Sequence, residues 1–275
     1  MKKNRKKTGS SDFLFYCITG MIITFFFLIV LYPVIFVIAA SFSSGDAVTA
    51  GKVFLWPVDF SLDGYQTVFH NSQVLTGFKN SFLYTFVGTV INVTLTMCAA
   101  YALTRIEVPG INKIMFLFTF TMFFGGGIIP NYILVRNLHL MNTMWAMVLP
   151  GAISAYNLII ARTFIQSNIP KELHEAAEMD GCGDIKFFLK IVLPLSGAVI
   201  AVLVLFYGVA NWNSYFNAML YLNDKDKYSL PIVLKQILIS SQIDPSTVTD
   251  PELQMQIARI ANVIKYSLIV VCLLY

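Results

Sequence analysis

The sequence predicts an all-α integral membrane protein with six transmembrane helices, the sixth cut short. Three observations carry that prediction. The chain of 275 residues is 57% hydrophobic and only 12% charged, whereas a soluble domain is about 45–50% apolar and about 25% charged. Its apolar residues fall in runs near the roughly 20 residues that a bilayer crossing needs. Its few charges gather between those runs. Disorder and a conventional water-soluble enzyme are both excluded, because such a chain could neither stay solvated nor cover a compact surface with polar groups. The domain organisation expected is a basic tail, residues 1–15, followed by one membrane domain, residues 16–275.

The elements follow in order. Lys2, Lys3, Arg5, Lys6 and Lys7 stand beside an apolar run and mark a cytoplasmic tail, not a nucleic-acid site, since no folded basic surface follows. The first span runs from about Tyr16 to Ala40. It is longer than the core of a signal peptide and is followed by further spans, so it reads as an uncleaved anchor. An outer loop, 41–79, carries the turn signals Ser43-Ser44-Gly45-Asp46, Trp56-Pro57 and Asp63-Gly64. The second span lies between Lys79 and Arg105, the third between Lys113 and about Ile129, and the fourth between about Met144 and Ala161. The fifth extends from near Ile191 to about Leu220. A second outer loop, 221–265, holds the breakers Asp244-Pro245 and Asp250-Pro251. The sixth span starts after Lys265 and reaches Tyr275 after about half a crossing, so the sequence is expected to be short of complete at that end.

Orientation follows from the basic residues. With the N-terminus inside, the tail, 102–113 and 162–190 carry Lys2, Lys3, Arg5, Lys6, Lys7, Arg105, Lys113, Arg162, Lys171, Lys186 and Lys190. The longer outer segments carry fewer, which is the positive-inside bias. Trp56, Trp145 and Trp212 then fall at outer span ends, where half-wet indole rings prefer to sit. Cys17, Cys98, Cys182 and Cys272 are scattered and suggest neither a disulfide framework nor a zinc site.

One inner segment, 162–194, stands apart. Within it Asn168 is a plausible helix cap and Pro170 suits the first helical position. Glu172 and Glu175 sit toward the positive end of the helix dipole. Gly181 suits the left-handed residue that ends a helix. Leu173, Ala176, Ala177 and Asp180 share one face by their spacing. Two readings are open: an amphipathic connector on the bilayer surface, or a docking helix that inserts into a groove of a cytoplasmic partner.

The wider pattern bears on that choice. Glu175-Ala176-Ala177, three residues, Gly181, nine residues, then Ile191-Val192-Leu193-Pro194 resembles the EAA loop of binding-protein-dependent ABC importers. Phe124-Gly-Gly-Gly-Ile-Ile-Pro-Asn-Tyr and Leu149-Pro-Gly-Ala-Ile-Ser-Ala-Tyr-Asn look like the carbohydrate-uptake (MalG-like) permeases, and more narrowly their LplC/YtcP-like subgroup. The resemblance implies a MetI-like type I importer permease. It implies that Glu175, Ala176, Ala177, Asp180, Gly181, Leu193 and Pro194 couple the chain to an ATPase. It further implies a second permease subunit in a heterodimer, two cytoplasmic ATP-binding subunits and an extracellular sugar-binding lipoprotein. The oligosaccharide, or another complex sugar, would cross the bacterial plasma membrane. Import of peptides or polyamines is the alternative within the class, and a secondary carrier the alternative outside it.

No chemistry of bond making is written in the chain. Gly45-Asp-Ala-Val-Thr-Ala-Gly51-Lys52-Val53 has one residue too many between its glycines, and lacks the hydroxyl residue after Lys, for a phosphate-binding loop. The ATPase is therefore expected on another chain. His70, His139 and His174 are isolated, with His174 expected at the surface, and no catalytic residue, metal site or cofactor is predicted. Asn92, Thr94 and Thr96 in span two, and Ser154, Tyr156 and Asn157 in span four, read either as helix–helix hydrogen-bonding groups or as lining of a watery path. Asn211-Trp212-Asn213-Ser214-Tyr215 reads equally as a sugar path, amides for hydroxyls and rings for C–H faces, or as an interfacial aromatic belt. The candidate path residues are Asn157, Asn211, Trp212, Asn213 and Tyr215. No charge lies deep in a span, which argues against an ion-coupled carrier.

Overall fold

The computed structural model describes residues 10–105, 109–240, 264–267 and 269–271. Helices dominate it, and the only bridge of extended chain among the described residues joins Ser43 to Phe60. The chain divides into two compact units, the first up to Ser72 and again from Leu234, the second Gln73–Val233.

The first unit opens with α1, Ser10–Ser41, the expected first span. Its side chains from Leu14 to Val30, Thr19 aside, are exposed on every side. A helix apolar all round, left uncovered among the described residues, is one suited to lipid as its solvent. Only its far end is packed: Ala39 and Ala40 are buried with Ala47 and Val53, and Phe36 meets the Tyr266 ring edge-on at 5.7 Å. The loop after it is a tight structure. Ser44 caps α2, Gly45–Thr49, by accepting from the Ala47 N–H. The Ser43 hydroxyl donates to the Ala39 carbonyl and accepts from the Val58 N–H. Helix α3, Asp63–His70, closes the unit. Of the sixth span, residues 266–267 and 269–271 are described and are helical, and the rest lies outside the described residues.

The second unit starts from α4, Ser72–Ala102, a continuous span that begins seven residues earlier than the basic Lys79 suggested. The other predicted spans are interrupted. The third divides into α5, Ile111–Phe123, and α6, Ile128–Asn137, bent by 116°. The cause is Gly125-Gly126-Gly127, with Gly127 at φ +85°, since glycine enters such backbone without steric cost and favours leaving a helix. The fourth divides into α7, Met144–Val148, and α8, Ala155–Asn168. Between them Pro150 and Gly151, the latter at φ +77°, stop the helix. After α9, Lys171–Met179, and α10, Asp184–Phe187, the chain takes a π turn over Phe188–Val192 and a short α11, Leu193–Leu195. Pro194 explains that turn: it has no N–H to donate, and its ring crowds the carbonyl four residues back, so the helix widens there. A further 80° bend at Ser196 leads into α12, Gly197–Trp212. The chain ends this unit with α13, Tyr215–Tyr221, and the start of α14, Leu230–Ser240. The segment after 221, read from the sequence as a loop or short surface helices, thus contains a helix.

Among the described residues, two single helices, α1 over Leu14–Ser41 and α4, are long and apolar enough to cross a membrane, and two bent pairs, α5 with α6 and Asp184–Leu195 with α12, are so when each pair is taken together. The core of the second unit gathers Met97, Ala100 and Leu103 of α4, Leu158, Ala161 and Ile165 of α8, and Val199, Leu203 and Tyr207 of α12. Small residues allow close crossing. A Cβ on Gly77 would stand 3.3 Å from the Leu230 Cα, and one on Gly88 would stand 2.8 Å from Asn211 Nδ2.

Candidate functional site

The segment 162–194 folds around a short helix with a firm end. Helix α9 is entered through Pro170, which occupies the N-cap position in extended backbone and not the first helical turn. Asn168 does not cap it either, because its side-chain amide donates back to the Phe164 carbonyl and finishes α8. Glu172 lies in the first turn, as expected from the helix dipole. The C-terminus is closed by Gly181 at φ +73°. The Cys182 N–H donates to the Ala177 carbonyl and the Gly181 N–H to the Glu178 carbonyl, both at 2.9 Å. This pair of bonds, around a left-handed glycine, satisfies carbonyls that the helix would leave orphaned.

The face expected to be shared is split. Ala177 turns inward and packs with Cys182 against the core of the second unit. Leu173, Glu175, Ala176 and Asp180 are exposed, as is Met179 at 89%. His174, expected at the surface, turns inward instead. Its side chain is 16% exposed and its Nε2 lies 3.4 Å from an Asp184 carboxylate oxygen. The same oxygen pairs with the Arg105 guanidinium. With Asp184 62% exposed, an ion pair of this kind contributes about 0–1 kcal/mol to stability. Beside it lies a half-open recess of about 300 Å³, lined by Thr104, Arg105, Gln166, Lys171 and His174 among others. Leu193 is half-buried and Pro194 exposed, both in the bent entry to α12, past the π turn and away from α9 in sequence.

Within the span region a polar seam joins α4 to α12 and to the start of α8. Thr89, Asn92 and Thr96 are buried on α4 at spacings of three and four, one helical face. Thr96 Oγ1 and Tyr207 Oη are 2.7 Å apart, and the Ser154 N–H donates to the same Tyr207 oxygen at 3.0 Å. Tyr207 can donate to Thr96 while accepting from Ser154, so one phenol ties three elements. The Asn211 amide reaches Thr89 Oγ1 at 3.5 Å, one turn further along α12. Asn92 Oδ1 has no hydrogen-bond partner among the described residues. Thr94 instead faces outward and donates to the Val90 carbonyl.

The candidate path residues are therefore distributed, not pooled. Asn157 is buried at the start of α8, three residues after Ser154. Asn211 joins the seam, while Trp212 packs edge-on against Phe78 at 6.0 Å. Asn213 donates to the Val209 carbonyl and the Tyr215 hydroxyl to the Met219 sulfur, both local bonds. Tyr207 and Thr89 were not singled out from the sequence. The spacing of Thr89, Asn92 and Thr96 on one face was the available signal.

A second polar knot holds the segment after α13. Asn142, at φ +59°, accepts from the N–H groups of Asn223 and Asp224 and donates to the Asp224 carboxylate at 2.7 Å. Lys227 donates to the same carboxylate at 2.9 Å. These bonds, Lys227 first and then Asn142, hold the Asp224 carboxyl below the usual carboxylate range.

The described residues form a helical body with broken spans and a capped helix, α9, that keeps one face exposed. No family model matches the chain. Relatives do. It is 45% identical to the polygalacturonan/rhamnogalacturonan transport system permease protein YtcP of Bacillus subtilis, over 78% of this chain and 75% of that protein. It is 39% identical to protein LplC of the same organism, over 90% of this chain and 82% of that protein. The solved structure of a bacterial ABC transporter that imports the acidic polysaccharide alginate contains a chain that superimposes with a TM-score of 0.85 and 29% identity, covering 98% of this chain and 96% of that one. The chain belongs to the carbohydrate-uptake ABC transporter permeases, which are integral membrane proteins.

Proposed function

We propose that this chain is the permease subunit of an ATP-driven importer of oligosaccharides, with the ATPase on separate chains. The observation that carries the coupling part is α9 itself. It presents Leu173, Ala176 and Met179 at intervals of three, uncovered among the described residues, and ends in a left-handed Gly181. An exposed apolar stripe on a capped helix, flanked by Glu175 and Asp180, suits a groove in a partner. Glu175, Ala176, Ala177, Asp180 and Gly181 set the shape and end of that helix, and Leu193 and Pro194 set the bend by which it joins α12. In this reading the loop 162–194 is the coupling loop, the tail 1–15 is cytoplasmic, and 41–79 and 221–265 lie outside. The membrane domain has six spans, the bent pairs counting as one each. A second, related permease completes a heterodimer, two ATP-binding subunits dock inside, and a lipoprotein delivers substrate outside.

The names of the relatives favour saccharides, and acidic ones among them, over peptides or polyamines. The polar seam of Thr89, Asn92, Thr96, Tyr207 and Asn211, with Asn157 close by in sequence to Ser154, offers hydroxyl and amide groups suited to a sugar. Trp212, Asn213 and Tyr215 would stand at the outer end of that path. The test is reconstitution. The chain should co-purify with an ATP-binding subunit, and vesicles holding the assembly should take up labelled oligogalacturonides only with ATP. Uptake driven by an ion gradient without any ATPase would refute the proposal, and uptake of peptides alone would refute the substrate.

A further inference from the structure

Two arginines reach the end of α4, and they differ in kind. Arg162 of α8 donates from Nε to the Leu103 carbonyl at 2.9 Å, a tie to backbone inside the packed body. Arg105 instead pairs with the side chain of Asp184, which opens α10 just past the docking helix. Around that carboxylate stand groups from two further positions. His174 Nε2 of α9 is 3.4 Å from it, and Tyr101 Oη of α4 is 3.5 Å from it. The rings interleave as well: His174 meets Phe187 edge-on at 4.8 Å, and Tyr101 stacks on Phe188 at 5.1 Å.

We infer that Asp184 is a positioning residue that carries movement of α9 to the end of α4, through His174 on one side and Arg105 on the other. This rests on the docking reading given above. Arg105 and His174 are largely covered while Asp184 is mostly exposed, so the carboxylate can shift without opening the apolar core. The tie of Arg162 to Leu103 involves no residue of α9 or α10. A side chain to side chain tie has two arrangements, made and broken, which is what a coupling element needs. The far consequence is in α4, whose buried face about two to four turns earlier carries Thr96, Asn92 and Thr89. A shift at Arg105 is transmitted along a rigid helix to the seam.

The experiment uses the complete importer in proteoliposomes and reads saccharide transported per ATP hydrolysed. Asp184→Asn and Arg105→Asp should each lower that ratio by about two- to thirty-fold, the span of couplings carried by packed side-chain networks. Both should keep the ATP-binding subunit bound in the usual stoichiometry. The exchanged pair, Arg105→Asp with Asp184→Arg, should recover most of the ratio. An unchanged ratio in the single variants, or a loss that the exchanged pair does not recover, would overturn the inference. Loss of the ATP-binding subunit from the single variants would also overturn it, by making the pair part of the docking fold alone. If the unaltered chain itself fails to hold an ATP-binding subunit, the docking reading falls first.

Discussion

Gly181 separates conformation from space as the reason for a glycine. Its φ is +73°, and a Cβ added there would meet nothing within 4 Å. A substitution is therefore opposed by backbone preference and not by a clash. An L-residue held in the left-handed region costs about 1–2 kcal/mol, and a β-branched one is a rarer occupant still. If the backbone escapes instead, the bonds from Cys182 to Ala177 and from Gly181 to Glu178 are lost, at about 0.5–1.5 kcal/mol each. Either route costs about 1–3 kcal/mol, and each 1–2 kcal/mol shifts a population by about 5–30-fold. Gly181→Val should thus cut saccharide uptake by roughly ten-fold, Gly181→Ala by less, and Gly181→Asn least, since asparagine tolerates this region. Uptake is measured in vesicles, beside membrane abundance by immunoblot and recovery of the ATP-binding subunit. Abundance should stay level across the series. Wild-type uptake with Val would refute the argument. So would an Asn variant as poor as Val, because that would mean a neighbour fills the space.

The remaining predictions concern the body. Tyr207→Phe leaves the Ser154 N–H and the Thr96 hydroxyl without their shared partner; it should cost about 1–3 kcal/mol, read as a Tm lowered by several degrees in detergent. Adding Thr96→Val should then cost less than the sum, because the same bond is being removed twice. Gly77→Val drives a side chain against the Leu230 backbone and should cost about 1–3 kcal/mol or more. Gly88→Ala meets the movable end of Asn211 and should leave more folded protein in size-exclusion profiles than Gly77→Val does. The Asp224 carboxyl is held low by Lys227 and Asn142. Its stabilising contribution is therefore present above the unfolded value near 3.9 and is lost as pH falls through the lower folded value. Comparing Asp224→Asn with the unaltered chain, the Tm advantage of the latter should be constant above about pH 5 and vanish on acidification below pH 4.

Much of the fold was legible because lipid enforces it. An apolar run without charges has one stable backbone in hydrocarbon, so α1 and α4 could be read from composition alone. Gly181 was legible for a similar reason: a glycine after an amphipathic run has a local conformational cause. Interruptions within spans were less legible. Gly125–Gly127 and Pro150–Gly151 signal breaks, yet hydropathy averages over them, and their angles depend on packing. The entry to α9 was misplaced by one residue because Asn168 had a nearer carbonyl at Phe164. His174 was misread because its neighbours in space, Asp184, Arg105 and Phe187, are distant in sequence or lie across a turn.

Sequence alone settled the solvent, the helical class and the family, because burial in lipid, backbone hydrogen bonding and a spaced motif are each local or compositional properties. Tertiary structure decided which polar residues meet. Thr96, Ser154 and Tyr207 come from three elements and share one oxygen, while Asn213, two residues from Asn211 in the chain, donates locally to the Val209 carbonyl. The physical reason is that a hydrogen bond is specific to distances of about 3 Å. The close approach of α4 and α12, with Gly88 against Asn211 and Gly208 against Thr89, is a feature of packing and not of spacing in the chain.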